Sequence, residues 1–287
     1  MSRVAVNGLQ LYHESQGSGE PLLLIMGWGG NAATWKPQLE GLAQRYHVIT
    51  FDNRGVGRTS APRGPYTTAQ MAGDAAGLLD ALGIERAHVL GISLGGMIAQ
   101  ELALAHPDRV DALILGCTTA GGPKAPGRRR LQEDIAGFHQ LSQDGTPDLE
   151  WFSEFLRHLW TEEALAKSTT ELQDFVFSII RFPPSRRGLR AQADAVSHHD
   201  TSGRLRSIRH RTLVITGAED TLIDPRNSLV LTTGIPNAEL FSFPNLKHAF
   251  HLEEPELVNG VIVEFIERAG RFTPGPKRNG VKQKIAR

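Results

Sequence analysis

One cysteine, Cys117, stands in 287 residues. That excludes a disulfide within the chain and makes the reducing cytoplasm the simplest expected compartment. No segment approaches the ~20 consecutive apolar residues that a membrane-spanning helix needs. The opening Met1-Ser2-Arg3-Val4-Ala5-Val6-Asn7-Gly8 lacks the apolar stretch of an export signal, so a soluble, unexported protein is expected. Excess charge of either sign is also missing, with 31 Lys and Arg against 31 Asp and Glu. Neither nucleic acid nor an anionic membrane is therefore an expected partner; small neutral molecules are, and homo-oligomerisation is left open. No internal repeat and no G-x-x-x-x-G-K-[ST] loop occurs, and Gly27-Trp28-Gly29-Gly30 lacks the G-x-G-x-x-G spacing, so no nucleotide cofactor is indicated. His13, His88, His106, His198 and His199 are scattered without metal-ligand spacing, so no metal is expected. Cys117 itself, beside an apolar strand, reads as a buried bystander.

The chain is long enough to bury a sizeable core in one α/β domain. Val4 to Val6 and Leu9 to Tyr12 flank Asn7-Gly8, a dipeptide suited to a two-residue hairpin turn. Short apolar runs without alternation follow at 21–26, 47–51, 87–92, 112–115, 212–215 and 238–241, as in strands covered on both faces. Helical periodicity lies between them, for instance Met71, Ala75, Leu78, Leu79 and Leu82 before the stop at Gly83. This alternation predicts a doubly wound, mostly parallel sheet with ligand sites at the carboxyl ends of its strands.

The alternation lapses between about Thr118 and Arg187. Helical segments there carry Trp151, Phe152, Phe155, Leu156, Leu159 and Trp160, then Phe175, Phe177, Ile179 and Ile180. These read as an inserted helical cap, its apolar residues forming cap core or lining a substrate pocket. The expected division is a core of residues 1–120 and 188–272, a cap of 121–187, and a disordered basic tail of 273–287. Arg128-Arg129-Arg130 reads as a solvated face.

The most informative stretch is Val89-Leu90-Gly91-Ile92-Ser93-Leu94-Gly95-Gly96-Met97, an apolar strand driven into a helix-forming segment through G-x-S-x-G. Such a turn lifts one hydroxyl clear of the sheet, which makes Ser93 the candidate nucleophile. A serine hydroxyl needs a base, and the base needs an acid to fix its tautomer. Asp220, after the strand Thr212-Leu213-Val214-Ile215, is the favoured acid, with Glu219 and Asp224 as neighbours able to serve. His248 is the favoured base, with His251 competing. The backbone amides of Leu94 and Trp28 are the candidate oxyanion donors.

Together Met26-Gly27-Trp28, Phe51-Asp52-Asn53-Arg54-Gly55-Val56-Gly57-Arg58-Thr59-Ser60, the Ser93 turn, Gly217-Ala218-Glu219-Asp220 and Lys247-His248-Ala249-Phe250 resemble the α/β-hydrolase fold superfamily across roughly residues 8 to 268. The resemblance implies an eight-stranded sheet with a helical cap and a Ser93, Asp220, His248 triad. It also implies that Asp52 and Arg54 brace the oxyanion loop. Met26-Gly27 replaces the common His-Gly, a form that looks like anthracycline methyl esterases and some small-ester hydrolases, and Lys247-His248 replaces the usual Gly-His. The expected activity is cofactor-independent hydrolysis of a small to medium apolar carboxylic ester or lactone through an acyl-enzyme. Perhydrolase and C–C bond hydrolase chemistry, or a receptor-like binding role on the same fold, are the alternatives.

Overall fold

The chain opens with the hairpin that its Asn-Gly dipeptide favours. Strands β1 (Ser2–Val6) and β2 (Leu9–Gln16) pair antiparallel around Asn7 and Gly8, at φ 48° and 78°. Positive φ at both central residues gives the turn a twist that matches the strands. The computed structural model describes residues 2–141, 149–269 and 283–285.

Strand and helix then alternate: β3 (Pro21–Ile25), α1 (Lys36–Leu42), β4 (His47–Phe51), α2 (Thr68–Ala81), β5 (Ala87–Ile92), α3 (Leu94–Ala105) and β6 (Val110–Gly116). Five helices follow, α4 (Arg128–Leu141), α5 (Leu149–Leu159), α6 (Glu162–Lys167), α7 (Thr170–Arg181) and α8 (Arg186–His198). The alternation resumes with β7 (Arg211–Gly217), α9 (Arg226–Gly234), β8 (Ala238–Phe243), α10 (Phe250–Glu253), α11 (Pro255–Ala269) and β9 (Gln283–Ile285).

The sheet order is β1-β2-β4-β3-β5-β6-β7-β8-β9, and every pairing from β4 onward is parallel. Eight of these strands, β1 to β8, form the mostly parallel eight-stranded sheet that the family resemblance implies. The ninth departs from expectation, because Gln283–Ile285 of the tail pairs with β8 through its backbone and covers that strand's edge. Backbone pairing needs no apolar side chains, so composition gives no warning of it. The remainder of the expected tail, apart from these three residues, lies outside the described residues. From β3 the chain steps to β4 on one side, and from β5 to β6 on the other. The sheet's switch point, where a crevice opens beyond the carboxyl ends, therefore lies between β3 and β5.

Successive side chains of a strand point to opposite faces, and the core divides accordingly. Leu23 and Ile25 join Leu78, Leu79, Ile98 and Leu102 on one face, whereas Leu22 and Leu24 join Leu42, Val258, Ile262 and Phe265 on the other. A third cluster sits in the excursion, where Leu159, Trp160, Ala164 and Leu172 pack on Ala249 and Leu252 of the β8–α10 region. Not all of the apolar residues foreseen there are covered. Phe177 and Ile180 are 58 % and 70 % exposed, because they fall on the face of α7 opposite Phe175 and Ser178. Helix α8 begins at Arg186 and so straddles the expected cap boundary at residue 188.

Arg54 and Asp74 form a bidentate ion pair, Nε to Oδ2 at 2.6 Å and Nη2 to Oδ1 at 2.7 Å, with side chains only 4 % and 2 % exposed. Removing one partner strands the other's charge in the interior. Arg54→Ala is expected to cost about 3–5 kcal/mol in urea unfolding. An Arg54→Met, Asp74→Leu double variant is expected to recover most of that loss.

Candidate active site

Ser93 occupies the junction of β5 and α3 at φ 56° and ψ −120°, a conformation that costs a non-glycine residue about 1–3 kcal/mol. The surroundings hold it there. Its N–H donates to the Gly116 carbonyl at 2.8 Å, and its carbonyl accepts from Gly96 N at 2.9 Å and Thr118 Oγ1 at 2.7 Å. Glycine is obligatory on both sides of the turn: a Cβ on Gly95 would lie 1.9 Å from the Ile25 carbonyl oxygen, and one on Gly91 would lie 2.2 Å from that of Gly95. Those contacts press α3 onto the ends of β3 and β5. Gly27, in the loop after β3, stands against the serine, since an added Cβ there would come within 3.1 Å of Ser93 Cβ.

His248, in the loop after β8, faces Asp220, in the loop after β7, with Nδ1 2.7 Å from Oδ2. An ionised carboxylate can only accept, so Nδ1 donates and the Nε2 lone pair faces away. Asp220 Oδ1 accepts from the amides of Leu222 and Ile223 at 2.8 and 2.9 Å, which fixes the carboxylate's plane. Burial would hold the imidazole below its ordinary value, but the Asp220 carboxylate and the Cys117 sulfur outweigh it and raise His248 well above that value.

The competing candidates are accounted for differently. Glu219 is exposed, and Asp224 is engaged by Arg226. His251 is buried against Trp35 and Phe250, neither ring nitrogen has a hydrogen-bond partner, and burial pushes it down to about 3. A ring so shielded is held neutral by its surroundings.

Leu94 is the first residue of α3, so its N–H has no carbonyl one turn earlier and stands at the positive end of the helix dipole. The loop carrying Trp28 is fixed from several sides. Asn53 Nδ2 donates to the Met26 carbonyl at 2.9 Å, and Asp52 Oδ1 accepts from Ala32 N at 2.6 Å. Arg58 brackets Asp52 through Nε and Nη2, and its guanidinium lies over the rings of Tyr12 and Phe182. Asp52 thus braces the loop as expected. Arg54 does not: its guanidinium turns to Asp74 on α2, and only its backbone carbonyl reaches the loop's network.

Gln192 of α8 completes that network and had no sequence signal. Its Oε1 accepts from Gly29 N at 3.0 Å while its Nε2 donates to the Arg54 carbonyl at 2.9 Å, so one buried amide bridges the two loops. Trp28 Nε1 donates to the Leu189 carbonyl on the same helix at 2.9 Å. A cavity of about 20 Å3, bounded by Thr119, Leu131, Ile135, Val196, Leu222 and Ile223, abuts the Asp220 turn. It has room for about one water molecule.

Cys117 is buried, as expected, and lies against the His248 ring. It follows β6 with φ 36°, is 1 % exposed, and its Sγ is 3.8 Å from His248 Nε2. Burial pushes its thiol above the ordinary range. Among the described residues, no hydrogen bond joins Ser93 Oγ to His248. Catalytic hydrogen bonds are commonly longer before substrate arrives.

Comparison with known proteins agrees with this architecture. Residues 20–255 match the family model described as alpha/beta hydrolase fold. RutD of Azorhizobium caulinodans, provisionally named a carbamate hydrolase, is 33 % identical over 89 % of this chain and 94 % of its own. Among solved structures, a hydrolase from Pseudomonas aeruginosa PA01 superposes with a TM-score of 0.82 at 32 % identity, over 92 % of this chain and 97 % of that one. The enol-lactonase of Burkholderia xenovorans LB400 does so with a TM-score of 0.78 at 25 % identity, over 92 % and 99 %. Folded as a switch-point sheet with a glycine-flanked serine turn at its crevice, this chain belongs to the α/β hydrolase fold family.

Proposed function

We propose that the protein is a serine hydrolase that cleaves a small to medium apolar carboxylic ester or lactone through an acyl-enzyme. The observation that carries this reading is the Asp220–His248 pair, 2.7 Å apart, in the same crevice as the strained Ser93 turn. Ser93 Oγ attacks the carbonyl carbon and its proton passes to His248 Nε2, while Asp220 holds the ring and stabilises the imidazolium. The amides of Leu94 and Trp28 receive the oxyanion as it forms. His248 then protonates the leaving alkoxide. A water, deprotonated at Nε2, attacks the acyl carbon and returns Ser93 to its starting state. The enol-lactonase neighbour supports the lactone side of this reading. A carbamate carbonyl could follow the same steps, and the relative's provisional name makes carbamates the second class to screen.

Helices α4–α7 serve in this reading as the cap that shapes the acyl or alcohol pocket, carried on the core of residues 1–120 and 188–272. Trp28 and Phe155, edge to face with centroids 6.2 Å apart, lie at its seam. No described helix is long and apolar enough to cross a membrane.

Three measurements test the reading. A fluorophosphonate is expected to add one adduct mass to the wild type and none to Ser93→Ala. It should label His248→Ala slower by at least about a hundredfold. Equal labelling of Ser93→Ala would place the nucleophile elsewhere. The base works only when neutral, so the labelling rate should rise with pH through a midpoint above the ordinary imidazole value of 6.5. Because the carboxylate favours the cation, Asp220→Asn should move the midpoint down as well as slow the reaction. Gln192→Leu, which unties Gly29 from the Arg54 loop, is expected to lower kcat on an activated ester about ten- to a hundredfold, with a smaller change in KM.

A further inference from the structure

We propose that Cys117 Sγ and His248 Nε2 together bind a thiophilic divalent cation, Zn2+ or Cd2+, and that the bound ion shuts the site down. Among the described residues, Cys117, Asp220 and His248 are the group whose sulfur, imidazole and carboxylate atoms converge within 4.8 Å. The site was not foreseen, because its ligands come from different strand-end loops and have no ligand spacing in the sequence.

The geometry fits a cation with soft and borderline ligands. Zinc bonds of about 2.3 Å to sulfur and about 2.0–2.1 Å to nitrogen put the two ligand atoms about 3.6 Å apart at the tetrahedral angle and about 3.8 Å apart at 120°. The observed separation is 3.8 Å. His248 already has the orientation that a metal-ligating histidine takes, with the nitrogen away from the metal held by a carboxylate. Asp220 is committed to that ring and to the amides of Leu222 and Ile223, so it orients the ligand and is not itself one. Ser93, partly exposed, has a backbone group against Cys117, and the remaining coordination positions fall to solvent water.

Binding exchanges a proton for the metal. The Cys117 thiol loses its proton to solvent and forms the sulfur–metal bond, while the Nε2 lone pair forms the nitrogen–metal bond. No oxidation state changes. The lone pair so occupied is the one that would take the Ser93 proton. Inhibition therefore rests on the serine hydrolase reading, whereas binding does not.

Cd2+ titrated into the metal-free full chain tests binding directly, since thiolate-to-cadmium charge transfer absorbs in the ultraviolet. One ion per chain with that band is expected. The band should vanish in Cys117→Ser, with affinity by calorimetry at least about tenfold weaker. His248→Ala and Asp220→Asn should also weaken binding, the latter by about ten- to a hundredfold. Circular dichroism and thermal melts check that each variant is folded. No band in the wild type, or unchanged affinity in folded Cys117→Ser, overturns the site. In parallel, Zn2+ should block fluorophosphonate labelling of the wild type, reversibly by EDTA. Block persisting at the same Zn2+ concentration in Cys117→Ser would overturn inhibition through this site. If the wild type fails to label without metal, the hydrolase reading fails while the Cd2+ titration still decides the site.

Discussion

The close approach of α3 to the ends of β3 and β5, with Gly95 against the Ile25 carbonyl, governs everything built at the sheet's crevice. Because the helix cannot retreat, Ser93 is forced to positive φ and projects from the turn. The same approach sets the start of α3 directly after the serine, and it puts Gly27 against Ser93. Serine turn, helix end and neighbouring loop are thus set by one steric fact. A Cβ at either flanking glycine would have to move backbone, which a flexible side chain could not absorb.

Around this point the structure spends buried polar groups on holding loops still. Asp52 takes the Ala32 amide and is itself clamped by Arg58, Asn53 ties the Met26 carbonyl, and Gln192 links Gly29 to Arg54. Each group is satisfied, so the network fixes geometry and leaves no buried donor or acceptor in these links stranded. Two of these bonds come from α8, and Leu159 of α5 accepts from Ala249, next to His248. Helices α8 and α5 therefore touch, respectively, the loop beside the serine and the loop carrying the histidine, so a shift of either would move one side of the site.

The electrostatics concentrate on one imidazole. His248 is buried, which disfavours its charge, yet it faces a carboxylate whose other oxygen is fixed by two amides. His251, three residues on and equally buried, has no such partner and is driven the other way. The contrast separates two histidines that the sequence leaves in competition. Cys117 adds a polarisable sulfur to the lone-pair side of the same ring, so proton, hydroxyl and any thiophilic cation would contend for one nitrogen.

Patterns local along the chain were readable without coordinates. The continuous apolar runs gave the strands, the Asn-Gly dipeptide gave the hairpin, and glycines two residues either side of Ser93 marked the turn, because strand burial, turn sign and close approach each leave a short-range trace. The order of strand ends also pointed to Asp220 and His248. Tertiary structure alone decided what depended on distant partners: Arg54 turning to Asp74, Arg58 taking the place beside Asp52, Gln192 crossing from α8, and Cys117 meeting His248. It also decided that Phe177 and Ile180 face solvent and that 283–285 pairs with β8. Periodicity fixes which side of an element is apolar, but a side chain's partner is set by how elements far apart in the chain pack together, and no local pattern encodes that.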